Sequence, residues 1–155
     1  MGHYAYVNEN LIVENVIKSD VYHILKSYPN QLNRIPGWWK TSYNTRFGKH
    51  WKPDASGINN VGVEESSTPE KSLRKNYASI GYSYIPAIDA FVSPKPYESW
   101  ILDYDIGDWV CPLKKNITDF EQTELDPIEW NEERVTWFSH GINKFWNDTL
   151  EEWVE

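Results

Sequence analysis

Residues 72–100, SLRKNYASIGYSYIPAIDAFVSPKPYESW, form the central segment of the predicted fold. Over residues 78–84, apolar side chains alternate with small or polar ones, which is typical of a β-strand with one buried face. Pro86 and Asp89 interrupt this pattern, and the apolar run Ala90-Phe91-Val92 resumes it. A chain that reverses and pairs with itself has this order, so the stretch predicts an antiparallel hairpin.

A second hairpin is predicted at the start of the chain. Residues 3–7 and 11–18 are two β-prone runs, and the polar Asn8-Glu9-Asn10 between them suits a tight turn. Asp20 is the predicted N-cap of one short helix over about residues 20–28, and Pro29 ends this helix. The apolar side chains at helical spacing on one side of this helix are Val21, Ile24, Leu25 and Tyr28.

The next segments lead from a strand into an irregular region. Trp38 and Trp39 are neighbours in a predicted strand, so their indoles are expected on opposite faces. Residues 47–72 contain many Gly, Pro, Ser and Asn residues and predict a long irregular arm that reaches across a neighbouring molecule and orders on binding. Trp51 near its start is expected to hold the arm down.

The last third of the chain is a series of tryptophan-bracketed units. Residues 100–109 predict strand, turn and strand between Trp100 and Trp109. Two units that both begin Trp-Asn and reach a second Trp seven residues later follow at an offset of sixteen, and their pairs are Trp130 with Trp137 and Trp146 with Trp153. This spacing predicts tandem hairpins over residues 128–155, with paired indoles facing each other across the strands. A terminal helix over residues 143–154 is the alternative.

These segments together predict the fold class and the domain organisation. A length of 155 residues fits one domain. The fold is predicted to be mainly β, with short antiparallel hairpins that form a small sheet or sandwich. The single domain, residues 1–155, carries one short N-terminal helix, the irregular arm at 47–72 and the tandem hairpins at 128–155.

Aromatic side chains dominate the composition and point to binding. The chain has nine Trp, ten Tyr and five Phe, which are too many for the core of a small β domain, so some are expected to be covered only by a partner. The interface candidates, expected to be a mixture of core and contact residues, are Trp38, Trp39, Trp51, Tyr82, Trp100, Trp109, Trp130, Trp137, Trp146 and Trp153.

Charge and cysteine content limit the partners. Residues 1–96 carry eleven Lys and Arg against eight Asp and Glu, whereas residues 97–155 carry four against fifteen. A nucleic-acid partner is not expected, because phosphate binding requires clustered cations. Cys111 is the only cysteine, so no disulfide forms within the chain. Neither a signal peptide nor a membrane-spanning run is visible, and no membrane partner is expected.

The sequence contains no recognisable catalytic or metal-binding motif. The four histidines are scattered and no second cysteine accompanies Cys111, so a zinc site is not predicted. Asp103, Asp105 and Asp108 resemble the start of a calcium loop, but the spacing fails at Gly107 and predicts a polar turn. No Gly-x-Ser-x-Gly motif or converging carboxylate pair is present. We therefore expect no enzymatic activity, no catalytic residues and no cofactor.

Several motifs are distinctive in combination: the hairpin at 3–10, TSYNTR at 41–46, RKNYASIGYSY at 74–84, DAFVSPKPYESW at 89–100, WVCP at 109–112 and the closing Trp-Asn-x5-Trp-Val unit. Together they resemble a family of small tryptophan-rich structural proteins of tailed phages that infect marine cyanobacteria and related marine bacteria. This chain departs from the family pattern because it has two Trp-Asn units where the family has one.

The resemblance implies a virion protein without enzymatic activity. Such a protein is made in the cytoplasm of the bacterial host and is attached to other virion proteins of the capsid, neck or tail in multiple symmetric copies. We expect it to dock through aromatic surfaces. A carbohydrate-binding or host-surface-binding module at a tail tip, with a glycan as partner, is the alternative, because exposed coplanar Trp and Tyr rings stack on sugars.

Overall fold

The computed structural model of this chain describes residues 1–53, 61–120 and 127–155. In these ranges the fold is mainly β, with several small antiparallel sheets and a single α-helix, which confirms the predicted class. The chain divides into two compact units: unit 1 comprises Met1–Pro94 and Leu102–Asp108, and unit 2 comprises Lys95–Ile101 and Trp109–Glu155. Each unit has hydrophobic clusters of its own.

The main sheet of unit 1 has three strands. Strands β1 (Gly2–Val7) and β2 (Val13–Ser19) form the hairpin predicted at the start of the chain, and β3 (Gly37–Thr41) pairs with the other edge of β1. In the register of this sheet, Ala5 of the central strand β1 lies opposite Val16 of β2 and Trp39 of β3. The order is therefore β2-β1-β3, all antiparallel.

The single helix, α1 (Val21–Ser27), lies between β2 and β3 in the chain. The predicted cap is confirmed, because an Asp20 side-chain oxygen accepts a hydrogen bond from the backbone N–H of His23 at 2.8 Å. The predicted buried side is wrong in part. Ile24 is fully buried, but Val21 and Leu25 are exposed, because a helix of two turns buries only a narrow stripe against the sheet.

The two neighbouring indoles of β3 lie on opposite faces, as predicted. Trp38 is buried in one cluster with Tyr4 and Ile24. Trp39 packs against a second cluster that includes Ala5 and Phe91. The three-stranded sheet is therefore covered by side chains on both faces.

Residues 47–72 are not an irregular arm in their described part. A second three-stranded sheet of order β4-β5-β6 is formed by β4 (Thr45–Arg46), β5 (Lys49–Pro53) and β6 (Val61–Glu65), and a 3-10 turn at Pro69–Lys71 follows. The prediction failed because Phe47 and Gly48, both at positive φ, form a two-residue hairpin turn between β4 and β5. The remainder of the predicted arm, residues 54–60, lies outside the described residues.

The hairpin predicted within residues 72–100 is present but shorter than expected. Strands β7 (Ser83–Ile85) and β8 (Ala90–Val92) pair across a 3-10 turn at Pro86–Ile88. The predicted strand over residues 78–82 is wrong, because Gly81 has a φ of 91° and the chain turns there. Ile80 consequently lies at the tip of a turn and is 69% exposed.

The tryptophan-bracketed units form the hairpins that the sequence predicted. Strand β9 (Ile101–Asp103) pairs with β10 (Asp108–Val110), and Leu102–Asp108 of this hairpin belong to unit 1. In unit 2, β11 (Ile128–Asn131), β12 (Thr136–Ser139), β13 (Lys144–Asn147) and β14 (Glu152–Val154) form one antiparallel sheet in chain order. The alternative of a terminal helix over residues 143–154 is therefore wrong.

Among the residues that the structure describes, no helix combines the length and the hydropathy that a bilayer span requires.

Candidate interaction surfaces and aromatic clusters

Unit 2 is built around indole rings. Trp130 lies directly opposite Trp137, and Trp146 lies directly opposite Trp153, as the spacing predicted. The ring centres are 5.0 Å apart in the first pair and 5.5 Å apart in the second, and both pairs meet edge to face. This geometry is favourable for aromatic rings because the positive edge of one meets the negative face of the other.

The first Trp-Asn hairpin is fixed by a carboxylate. The indole N–H of Trp130 donates to Glu132 Oε2 at 2.8 Å. The backbone N–H and the hydroxyl of Ser99 donate to the same carboxylate at 2.8 and 2.7 Å. Glu132 therefore ties the hairpin turn to a segment thirty-three residues earlier in the chain.

The second hairpin repeats this arrangement at an offset of sixteen. The indole N–H of Trp146 donates to Asp148 Oδ1 at 3.0 Å, and the backbone N–H groups of Lys114 and Lys115 donate to its two oxygens at 2.8 and 3.3 Å. We call Glu132 and Asp148 the hairpin carboxylates. They were missed from the sequence, although an acidic residue two positions after Trp in both copies is a signal for them.

Both hairpin carboxylates have a lowered pKa. For Glu132, the hydrogen bond from the Trp130 indole and those from Ser99 stabilise the charged form and lower the pKa. For Asp148, desolvation opposes this change, but the N–H groups of Lys114, Trp146 and Lys115 outweigh it, and the pKa is lowered. The two side chains are therefore structural anions.

In unit 1, both indoles of β3 are packed within the protein. The Trp38 ring lies 5.3 Å from the ring of Tyr6 and 5.1 Å from that of Tyr28. The Trp39 ring lies 4.6 Å from the Tyr84 ring, and the Arg74 guanidinium lies 5.2 Å from the Trp39 ring centre. These contacts leave neither indole available as a flat binding platform.

Tyr84 illustrates how closely the aromatic groups of unit 1 are held. Its hydroxyl donates to Asp89 Oδ1 at 2.6 Å. Burial and this hydrogen bond raise the pKa of Tyr84 to about 12, so the phenol stays protonated in neutral solution.

The remaining interface candidates are partly buried. The Trp51 indole donates to the carbonyl of Arg46 at 3.0 Å, and Tyr82 packs against the cluster that contains Phe91. In unit 2, Lys95 Nζ lies 5.6 Å from the Trp109 ring centre. Trp100 packs against the core and meets the Trp130 ring at 5.7 Å.

The structure therefore sorts the ten candidates without bringing them together at one place. Each of the nine indoles contacts another aromatic ring or a cation of this chain. Four of the candidates are buried in the hydrophobic clusters: Trp38, Trp130, Trp137 and Trp146. Six are partly buried: Trp39, Trp51, Tyr82, Trp100, Trp109 and Trp153.

Aliphatic residues and Tyr, rather than Trp, supply most of the exposed large apolar side chains in the described residues. On α1, Val21 is 47% exposed, Tyr22 is 71% exposed and Leu25 is 52% exposed, and their spacing places them side by side on the outer part of the helix. We call these three residues the α1 surface. The sequence did not predict this surface, because Val21 and Leu25 fit the buried stripe of the helix.

No site for a metal ion is evident in the described ranges, where no group of three or more His, Cys, Asp or Glu side chains is arranged to hold one. The resemblance of residues 103–108 to a calcium loop has another structural explanation. The Asp103 carboxylate accepts hydrogen bonds from the backbone N–H groups of Asp105 and Ile106 at 2.9 and 3.3 Å, which forms the predicted polar turn.

No protein-family model, no curated protein and no solved structure matches this chain.

Proposed function

We propose that this chain is a non-enzymatic structural or accessory protein of a phage virion, attached to the capsid or to the neck and tail in several symmetric copies. Two lines of support lead to this proposal. The sequence motifs resemble those of small tryptophan-rich phage proteins, and the α1 surface presents three large apolar side chains to solvent. The single observation on which the docking role rests is the exposure of the α1 surface.

The physical argument for docking rests on the cost of exposed apolar area. Covering such area gains roughly 25 cal/mol for each Å² removed from water. Tyr22 adds a polar hydroxyl to its apolar ring, and tyrosine is enriched among the residues that dominate binding energy. The α1 surface is therefore a suitable anchor for a larger body.

The buried indoles support the same function in a different way. Because they are packed inside each unit, they hold the units rigid and leave binding to exposed Tyr and aliphatic side chains. A surface that is already rigid loses little conformational entropy on association. Docking in many copies therefore favours such a scaffold. The carbohydrate alternative required coplanar exposed rings, and the packed indoles do not favour it.

The test uses phage particles that carry variants of this chain. In the variant Tyr22→Ser with Leu25→Ser, the buried Ile24 is untouched, so we expect the protein to fold, to accumulate in the cell and to be absent from purified particles. Mass spectrometry of the particles measures incorporation, and cryo-EM shows what covers α1. Ile80→Ser is the matched control, because it removes an exposed apolar side chain elsewhere in unit 1 and should leave incorporation unchanged.

Two outcomes would contradict the proposal. If the wild-type chain is found only as free protein and never in particles, the virion role is wrong. If the double variant is incorporated as well as the wild type, α1 is not the docking surface.

A further inference from the structure

Unit 1 contains a cavity of about 450 Å³ that has no role in the proposed function. It lies beside the first residues of β1 and the end of β3, and segments around residues 42–44 and 70–73 complete its wall. Its volume is within the range of cavities that hold small molecules, roughly 300–1,000 Å³.

The charged groups on its wall are mostly basic. Lys40 and Lys71 line the cavity, and neither ammonium group makes a hydrogen bond or an ion pair with any residue in the described ranges. Glu70 is the one carboxylate among the described lining residues. Two unpaired cations against one carboxylate give the cavity a positive potential, which attracts anions.

Aromatic and imidazole rings accompany these cations. Tyr43 lines the cavity, but its hydroxyl is inaccessible to solvent and therefore does not face a ligand there. His50, also on the wall, is held by a contact of 2.7 Å between its Nδ1 and the hydroxyl of Ser66.

The imidazole of His3 completes one side of the wall. Its ring stacks on Tyr43 at 5.7 Å and meets the edge of Tyr77 at 5.4 Å. Burial and the nearby charge of Lys18 lower the pKa of His3, so at neutral pH this ring is uncharged. The positive charge at neutral pH therefore comes from the two lysines.

We propose that this cavity binds a small ligand that carries a phosphate or sulfate group, with Lys40 and Lys71 pairing with the oxyanion. Charge-assisted hydrogen bonds from ammonium groups to such oxyanions are among the strongest in proteins. The volume exceeds that of the oxyanion alone and leaves room for an organic group esterified to it.

The experiment measures binding to the full chain by NMR and calorimetry at constant ionic strength. The probes are inorganic phosphate, inorganic sulfate, glucose 6-phosphate and glucose. We expect saturable binding of the oxyanions with amide shifts at His3, Thr41 and Asn44, and no binding of glucose. Tighter binding of glucose 6-phosphate than of inorganic phosphate identifies an organic ester as the ligand, and equal binding identifies the free anion.

Variants locate the site and separate it from general charge effects. Lys40→Gln with Lys71→Gln should weaken binding about tenfold or more. Lys26→Gln with Arg34→Gln removes the same charge from exposed positions away from the cavity and should change the affinity less than about twofold at constant ionic strength.

Three results would overturn the proposal. They are the absence of saturable binding by all of the oxyanions, equal loss of binding in the two double variants, and amide shifts confined to residues away from the cavity.

Discussion

Gly37 shows how a single position determines the entry into β3. A Cβ at this residue would lie 2.1 Å from the backbone oxygen of Gln31 and 2.6 Å from that of Arg34. Backbone atoms cannot turn aside as a flexible side chain can, so the chain around Gly37 would have to move. We expect Gly37→Ala to reduce the free energy of unfolding by about 2–3 kcal/mol, measured by urea denaturation.

Gly2→Ala is the matched control for this substitution. Its nearest non-neighbouring atom is the Cε of Lys40 at 3.2 Å, which belongs to a flexible side chain. The control should therefore change stability by less than about 0.5 kcal/mol. Equal effects of the two substitutions would show that the close approach at Gly37 does not limit the fold.

The hairpin carboxylates predict a loss of stability in acid. Because the folded pKa values of Glu132 and Asp148 lie below their ordinary values of 4.5 and 3.8, the unfolded state binds protons first as the pH falls. Their contribution is complete above these ordinary values and is lost as the pH falls through the lowered folded ones. Urea denaturation at a series of pH values, followed by Trp fluorescence, should show this decline.

The variant Glu132→Gln with Asp148→Asn removes the titration, keeps one acceptor oxygen at each position and replaces the other by an NH2 donor. Its stability should be lower than that of the wild type at neutral pH and should depend less on pH in the acid range. Glu98→Gln is a suitable control, because the Glu98 side chain is 91% exposed, and should leave the wild-type pH profile unchanged. An acid decline that is identical in the double variant would assign the effect to other carboxylates.

At the scale of elements, the two Trp-Asn hairpins share a sequence pattern and differ in burial. Trp137 is buried, and its indole N–H donates to the carbonyl of Lys115 at 2.9 Å, whereas the equivalent Trp153 is only partly buried. We expect Trp137→Ala to reduce the free energy of unfolding by about 3–5 kcal/mol. Trp153→Ala should cost roughly half as much.

Chemical denaturation of both variants tests this difference, and circular dichroism checks that each still folds. If Trp153→Ala costs as much as Trp137→Ala, the two hairpins contribute equally, and burial of the indole does not determine its importance.

Hairpins were the elements that could be predicted from the sequence. Turn residues between β-prone runs identified the β1–β2 and β7–β8 pairs, although the strand predicted over residues 78–82 does not form. The repeated Trp spacing identified the hairpins of unit 2, because the information lies in nearby residues. The sheet of β4, β5 and β6 escaped prediction. Its turn depends on Phe47 adopting a positive φ, which local propensity does not favour for an aromatic residue.

The candidate surface was harder to predict than the fold. Composition showed that the chain has more aromatic rings than an ordinary core needs, but it did not show which rings are buried. Trp38 and Trp39 are adjacent and alike in sequence, yet one is buried among Tyr6 and Tyr28 and the other lies beneath Arg74. Burial depends on which distant elements pack against a residue, and that information is not local.

For the whole molecule, Cys111 provides a probe of how the two units open. The thiol is buried in the aromatic core of unit 2, and this burial raises its pKa, so it should react with thiol reagents only when unit 2 opens. We expect slow labelling of the native wild-type chain. Trp137→Ala should accelerate labelling at least about tenfold, because it raises the open fraction of unit 2.

A variant in unit 1 supplies the comparison. Phe91 is fully buried in a cluster of unit 1, and Phe91→Leu should weaken that cluster without changing the rate of Cys111 labelling if each unit opens by itself. Acceleration by Phe91→Leu to the same degree as by Trp137→Ala would show that both units open as one cooperative body.

The edge-to-face indole pairs of unit 2 also have an optical consequence. Two indoles whose centres are 5.0 Å apart and whose planes are inclined by 79° have coupled electronic transitions, and the coupling splits their far-ultraviolet circular dichroism into bands of opposite sign. These bands overlap the signal of the peptide backbone. A spectrum of this chain interpreted with ordinary reference proteins will therefore misjudge its strand content, while the split bands themselves will report on the closed state of the indole pairs.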